Sequence, residues 1–423
     1  MIRFRPRCLS IITASVALSA LLIGGCVRVH VHGDADAVRA PTAAPLRVAT
    51  YNTSLYDEET GGLVRRLEAG DPQARKIAAV LKRVRPDLVL LNEFDYDPAG
   101  RAADLFQRDY LEVADGGGEP LRYPYRYFAE VNTGVPSGLD LNADGVVGSA
   151  GRARGDDAWG YGLHPGQYGM LVLSRYPIDA EAVRSFRLLK WNAMPGARRP
   201  QDPRSGRPFH DDAIWREMRL SSKSHWDVPV RTPHGAVHFL VSHPTPPVFD
   251  GPEDRNGARN ADELRLWREY LDDDPADRGW LCDDAGRCGG LPVGARFVIA
   301  GDLNNDPIDG DGRHDAIAAL TGHARVSPHA APRSVGGIEA ARVAGGANAA
   351  HRGDPAEDTG DFGPRVGNLR LDYVLPSDGW RVVDGAVFWP ASDAPDAALA
   401  GASDHRAVWL DLLPAALSAP PSR

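Results

Sequence analysis

Ile299-Ala300-Gly301-Asp302-Leu303-Asn304-Asn305-Asp306-Pro307 carries an apolar run straight into a tight acidic turn. The run reads as a strand, and because a strand repeats every two residues, Asp302 and Asn304 leave it on the same side. Alone, Asp-x-Asn is also an ordinary turn. Three more segments share this construction of an apolar strand with a polar group at its end. Leu90-Leu91-Asn92-Glu93-Phe94 closes on a carboxylate, which must reach solvent or meet a cation. Val241-Ser242-His243-Pro244-Thr245-Pro246-Pro247 ends on a histidine held by prolines, and Ser403-Asp404-His405-Arg406 sets an acid and an imidazole just before an apolar run.

Around these segments strands outnumber helices. Strands are expected at residues 46–51, 87–94, 168–175, 217–223, 236–242, 296–300, 371–375, 386–389 and 407–412. The continuous run Leu88–Leu91 suits a strand covered on both faces. Asp71-Pro72 is an N-cap followed by proline at the first helical position, and Ile77, Val80, Leu81 and Val84 keep one helical face apolar until Pro86. Further helices are expected at 261–271 and 314–320. Many strands are neighbours in sequence, which favours packed sheets flanked by helices over an alternating α/β barrel. Gly/Pro/Asp-rich stretches at 132–167, 194–213, 272–293 and 330–367 read as long insertions that shape a site or move.

The chain has 423 residues, 43% hydrophobic and 25% charged, which supplies a core and excludes collagen-like, coiled-coil and wholly disordered classes. Its start reads as a secretory leader over residues 1–25, with Arg3, Arg5 and Arg7, an apolar run Leu9–Ile23 and a Gly24-Gly25 exit. Leu22-Ile23-Gly24-Gly25-Cys26 resembles a bacterial lipobox, in which cleavage leaves a lipid on Cys26; ordinary cleavage with an incidental cysteine is the alternative. With Val27 next, the expected location is the outer membrane or periplasm. Residues 26–45 read as a tether, 46–413 as the folded domain and 414–423 as a frayed tail. Losing the leader's three arginines takes the net charge from −9 to −12, which repels a polyanion unless a local basic patch or bound cations intervene. Cys282 and Cys288 are close enough in sequence to close a small loop by a disulfide in an oxidising compartment, whereas a metal site there would need two more ligands.

In order, Tyr51-Asn52, Glu93, Arg216-Glu217, Ser242-His243, Gly301-Asp302-Leu303-Asn304, Leu371-Asp372-Tyr373 and Ser403-Asp404-His405 resemble the endonuclease/exonuclease/phosphatase superfamily. Its members include pancreatic-type deoxyribonuclease, abasic-site endonucleases, inositol polyphosphate 5-phosphatases and bacterial sphingomyelinases. Asn92, where a glutamine is usual, and the prolines after His243 depart from the pattern. The resemblance spans about Leu46 to Leu413 and implies an α+β, four-layer α/β sandwich of two packed mixed β-sheets flanked by helices, with the site at one end.

The resemblance also implies roles. Glu93, Asn52 and Asp404 offer the hard oxygens that suit Mg²⁺ or Mn²⁺. Glu217 with His243, and Asp372 with His405, form carboxylate–imidazole pairs for acid–base work or phosphate binding. Asp302 orients or deprotonates the attacking water, while Asn304, Asn52 and Arg216 contact the phosphate. The expected function is an extracytoplasmic, lipid-anchored, monomeric phosphoesterase. A nuclease with the same site and a non-catalytic Ca²⁺-binding surface protein are the alternatives. The Ca²⁺ reading rests on Asp140-Leu141-Asn142-Ala143-Asp144-Gly145, the first half of an EF-hand loop, though Gly151 stands where the twelfth-position glutamate belongs. Trp191, Trp215 and Trp226 are expected in packing rather than in the cleft.

Overall fold

The computed structural model describes residues 44–114, 118–272 and 278–415. The leader, Cys26, most of the tether and nearly all of the tail lie outside them. No helix among the described residues is long and apolar enough to cross a membrane. The strands are β1 (Leu46–Leu55), β2 (Leu88–Phe94), β3 (Tyr125–Tyr127), β4 (Met170–Ser174), β5 (Arg184–Ser185), β6 (His225–Thr232), β7 (Gly235–Ser242), β8 (Phe297–Asp302), β9 (Gly360–Asp361), β10 (Asn368–Leu369), β11 (Asp372–Pro376), β12 (Trp380–Val387) and β13 (Val408–Pro414). Helices α1 (Gly62–Glu68), α2 (Pro72–Val84), α3 (Arg101–Leu105), α4 (Gly151–Asp156), α5 (Asp212–Glu217), α6 (Arg255–Leu271) and α7 (His314–Thr321) punctuate them. One sheet has the order β12-β13-β1-β2-β4-β3 and the other β11-β8-β7-β6-β5. Each is mixed, with β1–β2 and β7–β8 parallel and their neighbours antiparallel.

Two-residue alternation builds the layers. Val48, Leu88, Leu90 and Val172 of the first sheet meet Val228, Val237, Phe239, Val241, Val298 and Val374 of the second in a shared core. The other side of the first sheet, with Ala49, Tyr51, Val89 and Leu91, packs on Leu63, Leu67, Ile77 and Leu81 of α1 and α2. The second sheet's outer side, with Leu240, Phe297, Ile299 and Leu375, packs on Ala261, Leu264, Trp267, Ile317 and Leu320 of α6 and α7. Each such apolar side chain contributes about 1.5–3 kcal/mol on burial, so three apolar interfaces hold four layers. Trp191 and Trp226 are fully buried in these cores. At α2 the Asp71 carboxylate accepts from Ala74 N at 2.8 Å, and Arg85 ends the helix in the left-handed region.

Two expectations fail. Residues 217–223 are not a strand: Arg216 and Glu217 close α5, and beyond them only Arg219 bridges to Lys190. Asp211 explains the helix, since its carboxylate caps Ile214 N at 2.8 Å. The strand of this region is β6, whose Trp226, Val228 and Val230 face the core. Its Pro229 lacks an N–H, which is tolerated because short β5 pairs only with Asp227 and Trp226 and stops before it. The strand expected at 386–389 is the end of the longer β12, an edge strand whose Arg381 and Asp384 hide the apolar pattern. In the 272–293 insertion Cys282 and Cys288 are joined.

Candidate active site

Strand ends deliver the polar residues to one place. Asn52 ends the regular part of β1, Glu93 lies near the end of β2, His243 follows β7, Asp302 ends β8, Asp372 opens β11, and Asp404-His405 precede β13. The sheets are tied together here, since Asn52 Nδ2 donates to Asp302 Oδ2 at 3.0 Å and Asp302 N donates to Asn92 Oδ1 at 3.1 Å. Gly301 permits the approach of β8 to β7: a Cβ on it would lie 2.1 Å from the Ser242 carbonyl oxygen.

Asp302 is the hub. Its Oδ2 lies 3.4 Å from His243 Nε2 and 3.5 Å from His405 Nε2, and its Oδ1 accepts Asn304 N at 2.9 Å. Burial by itself would raise this carboxyl; His405, His243 and Asn52 outweigh burial and hold it below the ordinary carboxylate range. On its far side His405 Nδ1 meets Asp372 Oδ2 at 2.8 Å, and Thr359 Oγ1 donates to the same oxygen at 2.7 Å. Burial opposes the His405 cation, yet Asp372 and Asp302 together raise it well above an ordinary histidine. His243 goes the other way. Burial and then nearby Lys223 push it down to about 4, against the pull of Asp302. Two imidazoles on one carboxylate are thus split into a cation and a neutral base, the separation that acid–base chemistry needs.

Glu93 lies 4.0 Å from His243 Nε2 and is pushed up to about 7, chiefly by burial and further by Asp404 and Asp302. Asp404 Oδ1 accepts from Ser54 Oγ at 2.8 Å. Ser54, Glu93 and Asn304 all have left-handed backbones, with φ of 48°, 54° and 51°. For residues other than glycine this is strain, of a kind that collects at functional sites.

Glu217 and Arg216 are not part of this arrangement. Both are exposed at the end of α5, where Glu217 Oε2 pairs with Lys190 Nζ at 2.8 Å. The carboxylate that accompanies His243 is Asp302, while the expected pairing of Asp372 with His405 is present as a direct contact. Sequence reasoning missed Thr359, Asn92 as a tie between sheets, and Lys223. Lys223 is buried, and burial lowers it despite Glu263, Glu93 and Asp302 nearby. The Asp140–Gly145 loop is engaged by its own backbone, with Asp140 accepting from Asp144 N and Gly145 N, and Asp157 accepting from Leu141 N and Gly148 N.

The model of the endonuclease/exonuclease/phosphatase family matches residues 49–405. The chain belongs to this family. As an endonuclease/exonuclease/phosphatase protein it is a metal-dependent phosphoester hydrolase. It is similar to a solved endonuclease/exonuclease/phosphatase structure from Beutenbergia cavernae, at 19% identity over 88% of this chain and 72% of that one, TM-score 0.47. It is also similar to sphingomyelinase C from Streptomyces griseocarneus, at 19% identity over 87% and 99%, TM-score 0.41. A third similar structure is a Staphylococcus aureus beta toxin variant with bound magnesium ions, at 12% identity over 87% and 99%, TM-score 0.40. No curated protein matches the chain in sequence.

The family's divalent metal has two candidate settings. Asp302, Asp372 and His405 bring ligand atoms within 4.8 Å of one another, and Asp372 Oδ1 is a buried oxygen with no hydrogen-bond donor. The imidazolium already offsets one of that trio's two carboxylate charges. Glu93 is half-buried beside Asp404, Asp302 and Asn52, and its carboxyl is raised first by burial and then by Asp404 and Asp302, against the pull of His405 and Asn52. This hard-oxygen set fits Mg²⁺ or Mn²⁺.

Proposed function

We propose that the chain hydrolyses phosphoesters outside the cytoplasm from a lipid anchor at Cys26, with a divalent metal held by Glu93, Asn52 and Asp404. The opposite tuning of His243 and His405 on Asp302 carries the reading. A bound Mg²⁺ or Mn²⁺ neutralises a phosphate oxygen and stabilises charge developing in the transition state. The protein's own groups divide the rest. Asp302, kept ionised, would orient the attacking water, and neutral His243, 3.4 Å from Asp302, would take the water's proton as the phosphorus–oxygen bond to the leaving group breaks, the departing oxygen taking its proton from solvent. The His405 imidazolium, fixed by Asp372 and Thr359, donates Nε2–H to a non-bridging oxygen, and Asn304 and Lys223 bind the same phosphoryl group.

The leader's arginines, its apolar run and Cys26 support export and anchoring, and the Cys282–Cys288 bond suits an oxidising compartment. Nucleic acid is disfavoured as substrate by the net charge. Two arginines available for a basic patch, Arg198 and Arg199, are already paired with Asp262 and Asp212.

A panel of phosphomonoesters, phosphodiesters, phospholipids and DNA, run with Mg²⁺, Mn²⁺ and chelator, tests the activity. Turnover that survives excess chelator, or that Glu93→Gln leaves intact, defeats the metal assignment. For the anchor, Cys26→Ser should abolish lipid labelling and release the chain into the soluble extracytoplasmic fraction; a wild-type protein without lipid at Cys26 refutes it.

A further inference from the structure

The face that α6 turns to the second sheet is polar where it passes the site. Asn260 and Glu263 stand three positions apart on one side of the helix, and both are wholly buried. A buried carboxylate is costly unless it is bonded, and here both oxygens are. Glu263 Oε1 accepts Ser222 N at 2.7 Å, and Oε2 accepts Thr245 N at 2.6 Å. Asn260 Nδ2 donates to the carbonyls of Thr245 at 2.9 Å and Leu303 at 3.0 Å, while its Oδ1 accepts Asn305 Nδ2 at 2.8 Å.

Every one of these bonds ends on a segment that carries a group of the phosphoryl side. Ser222 precedes Lys223, Thr245 stands two residues after His243, and Leu303 and Asn305 flank Asn304. All three carried groups lie outside the strands, Lys223 before β6, His243 after β7 and Asn304 after β8, where a ladder no longer dictates the path of the chain. Asn304 also holds a left-handed φ of 51°, which its surroundings must enforce. Two contacts join the segments directly: Ser222 Oγ donates to the His243 carbonyl at 3.4 Å, and Asn304 Nδ2 donates to the Pro244 carbonyl at 3.1 Å.

Attachment of the helix does not require this polar pair, because Ala261, Leu264 and Trp267 already seat α6 on the sheet through apolar contact. One carboxylate and one amide instead fix the spacing of three turns. We propose that Asn260 and Glu263 are positioning residues for the hydrolysis, holding His243, Lys223 and Asn304 in the geometry that the transition state needs. The inference rests on the phosphoesterase reading and says how the phosphoryl side of that site is held. Asn52 on β1, Glu93 on β2 and Asp404 just before β13 belong to the first sheet, so the clamp acts on one side of the site and leaves the metal side alone.

The test measures kcat and KM on the fastest ester of the panel, melting temperature, and Mn²⁺ binding by electron paramagnetic resonance, in wild type, Glu263→Gln, Asn260→Ala, the double variant and a control, Leu264→Ala. Glu263→Gln keeps the size but turns an amide N–H toward one of the two backbone donors. Each clamp variant should lose about ten- to a hundredfold in kcat, the scale of a misplaced catalytic group, with KM within about threefold and Mn²⁺ affinity unchanged. The double variant should lose less than the product, since both residues hold the Thr245 turn. Leu264→Ala opens a cavity on the same face without touching these bonds, so it should lower the melting temperature and keep kcat within about twofold. Wild-type kcat in both clamp variants overturns the assignment. So does an equal loss in Leu264→Ala, or Mn²⁺ binding that falls in step with kcat, because either marks general loosening. If neither clamp variant folds, the pair serves the fold and the assignment is likewise overturned. Hydrolysis of no ester by wild type overturns the phosphoesterase reading itself.

Discussion

One oxygen, Asp302 Oδ2, is approached by Asn52, His243 and His405, and that convergence sets which substitutions matter. His243→Ala and His405→Ala should each lower turnover by on the order of 10²-fold or more, the scale of positioned acid–base groups. The double variant should lose less than the product of the two, since both act on one transition state. Melting temperature measured on the same preparations separates chemistry from folding, and intact turnover in either variant would refute the site. Glu217→Gln should leave turnover within about twofold, because the exposed Glu217–Lys190 pair is screened by solvent and touches none of the site's residues. A large loss there would restore the role that the sequence assigned to it. Residue types were readable where a motif sat on a strand end, as at Asp302 and His405. Arg216-Glu217 carried the same letters, but Asp211 had already capped a turn of helix. Lys223 was hidden for another reason: a lone lysine among serines, in Ser221-Ser222-Lys223-Ser224, gives no pattern until the sheets bring Glu93 and Asp302 near it.

At the scale of elements, apolar alternation was legible wherever both faces of a strand are covered, as in β2 and β8, and failed at β6 and β12. Pro229 breaks the strand signal in β6, and the open side of β12 carries polar residues. Edge strands need fewer apolar residues, so their sequences look like loops. The β7–β8 junction makes a testable point about how the site is held. In Gly301→Ala the new methyl would meet the Ser242 carbonyl at 2.1 Å, a backbone group that cannot swing aside. The strands must part, at a cost on the order of 1–3 kcal/mol. Asp302 moves with them, so turnover should fall even at temperatures where the variant is fully folded. Urea unfolding and turnover together check this; a variant as stable and active as wild type would show that the strands yield freely.

Over the whole molecule, stability should depend on pH through a histidine outside the acid–base pair, on β6 opposite Ser242. His225 is fully buried, with Nε2 donating to the Glu263 carbonyl at 3.0 Å and Nδ1 accepting from Ser221 Oγ at 2.6 Å. Burial pushes it down to about 3, while an unfolded histidine titrates near about 6.5. Between those values the unfolded chain binds a proton that the folded chain refuses. The contribution is therefore whole above about 6.5 and falls as the pH drops, by up to about 1.4 kcal/mol per pH unit. Asp95 and Asp358, both pushed up to about 7 mainly by burial, act with the opposite sign in this window, so the quantity to read is a difference. Urea midpoints at pH 7, 5.5 and 4.5 should decline less steeply in His225→Gln than in wild type, and parallel declines would refute the assignment.

The middle of the six-stranded sheet joins the two ends of the domain, with Leu46 opposite Leu412 and Thr50 opposite Val408. A ribosome therefore delivers β1 long before its partner β13. Until residue 412 has emerged, β1 lacks one neighbour and the sheet cannot close, so the growing chain has no finished fold to settle into. That waiting period leaves one edge of β1 open to a wrong neighbour for nearly as long as the domain is being made.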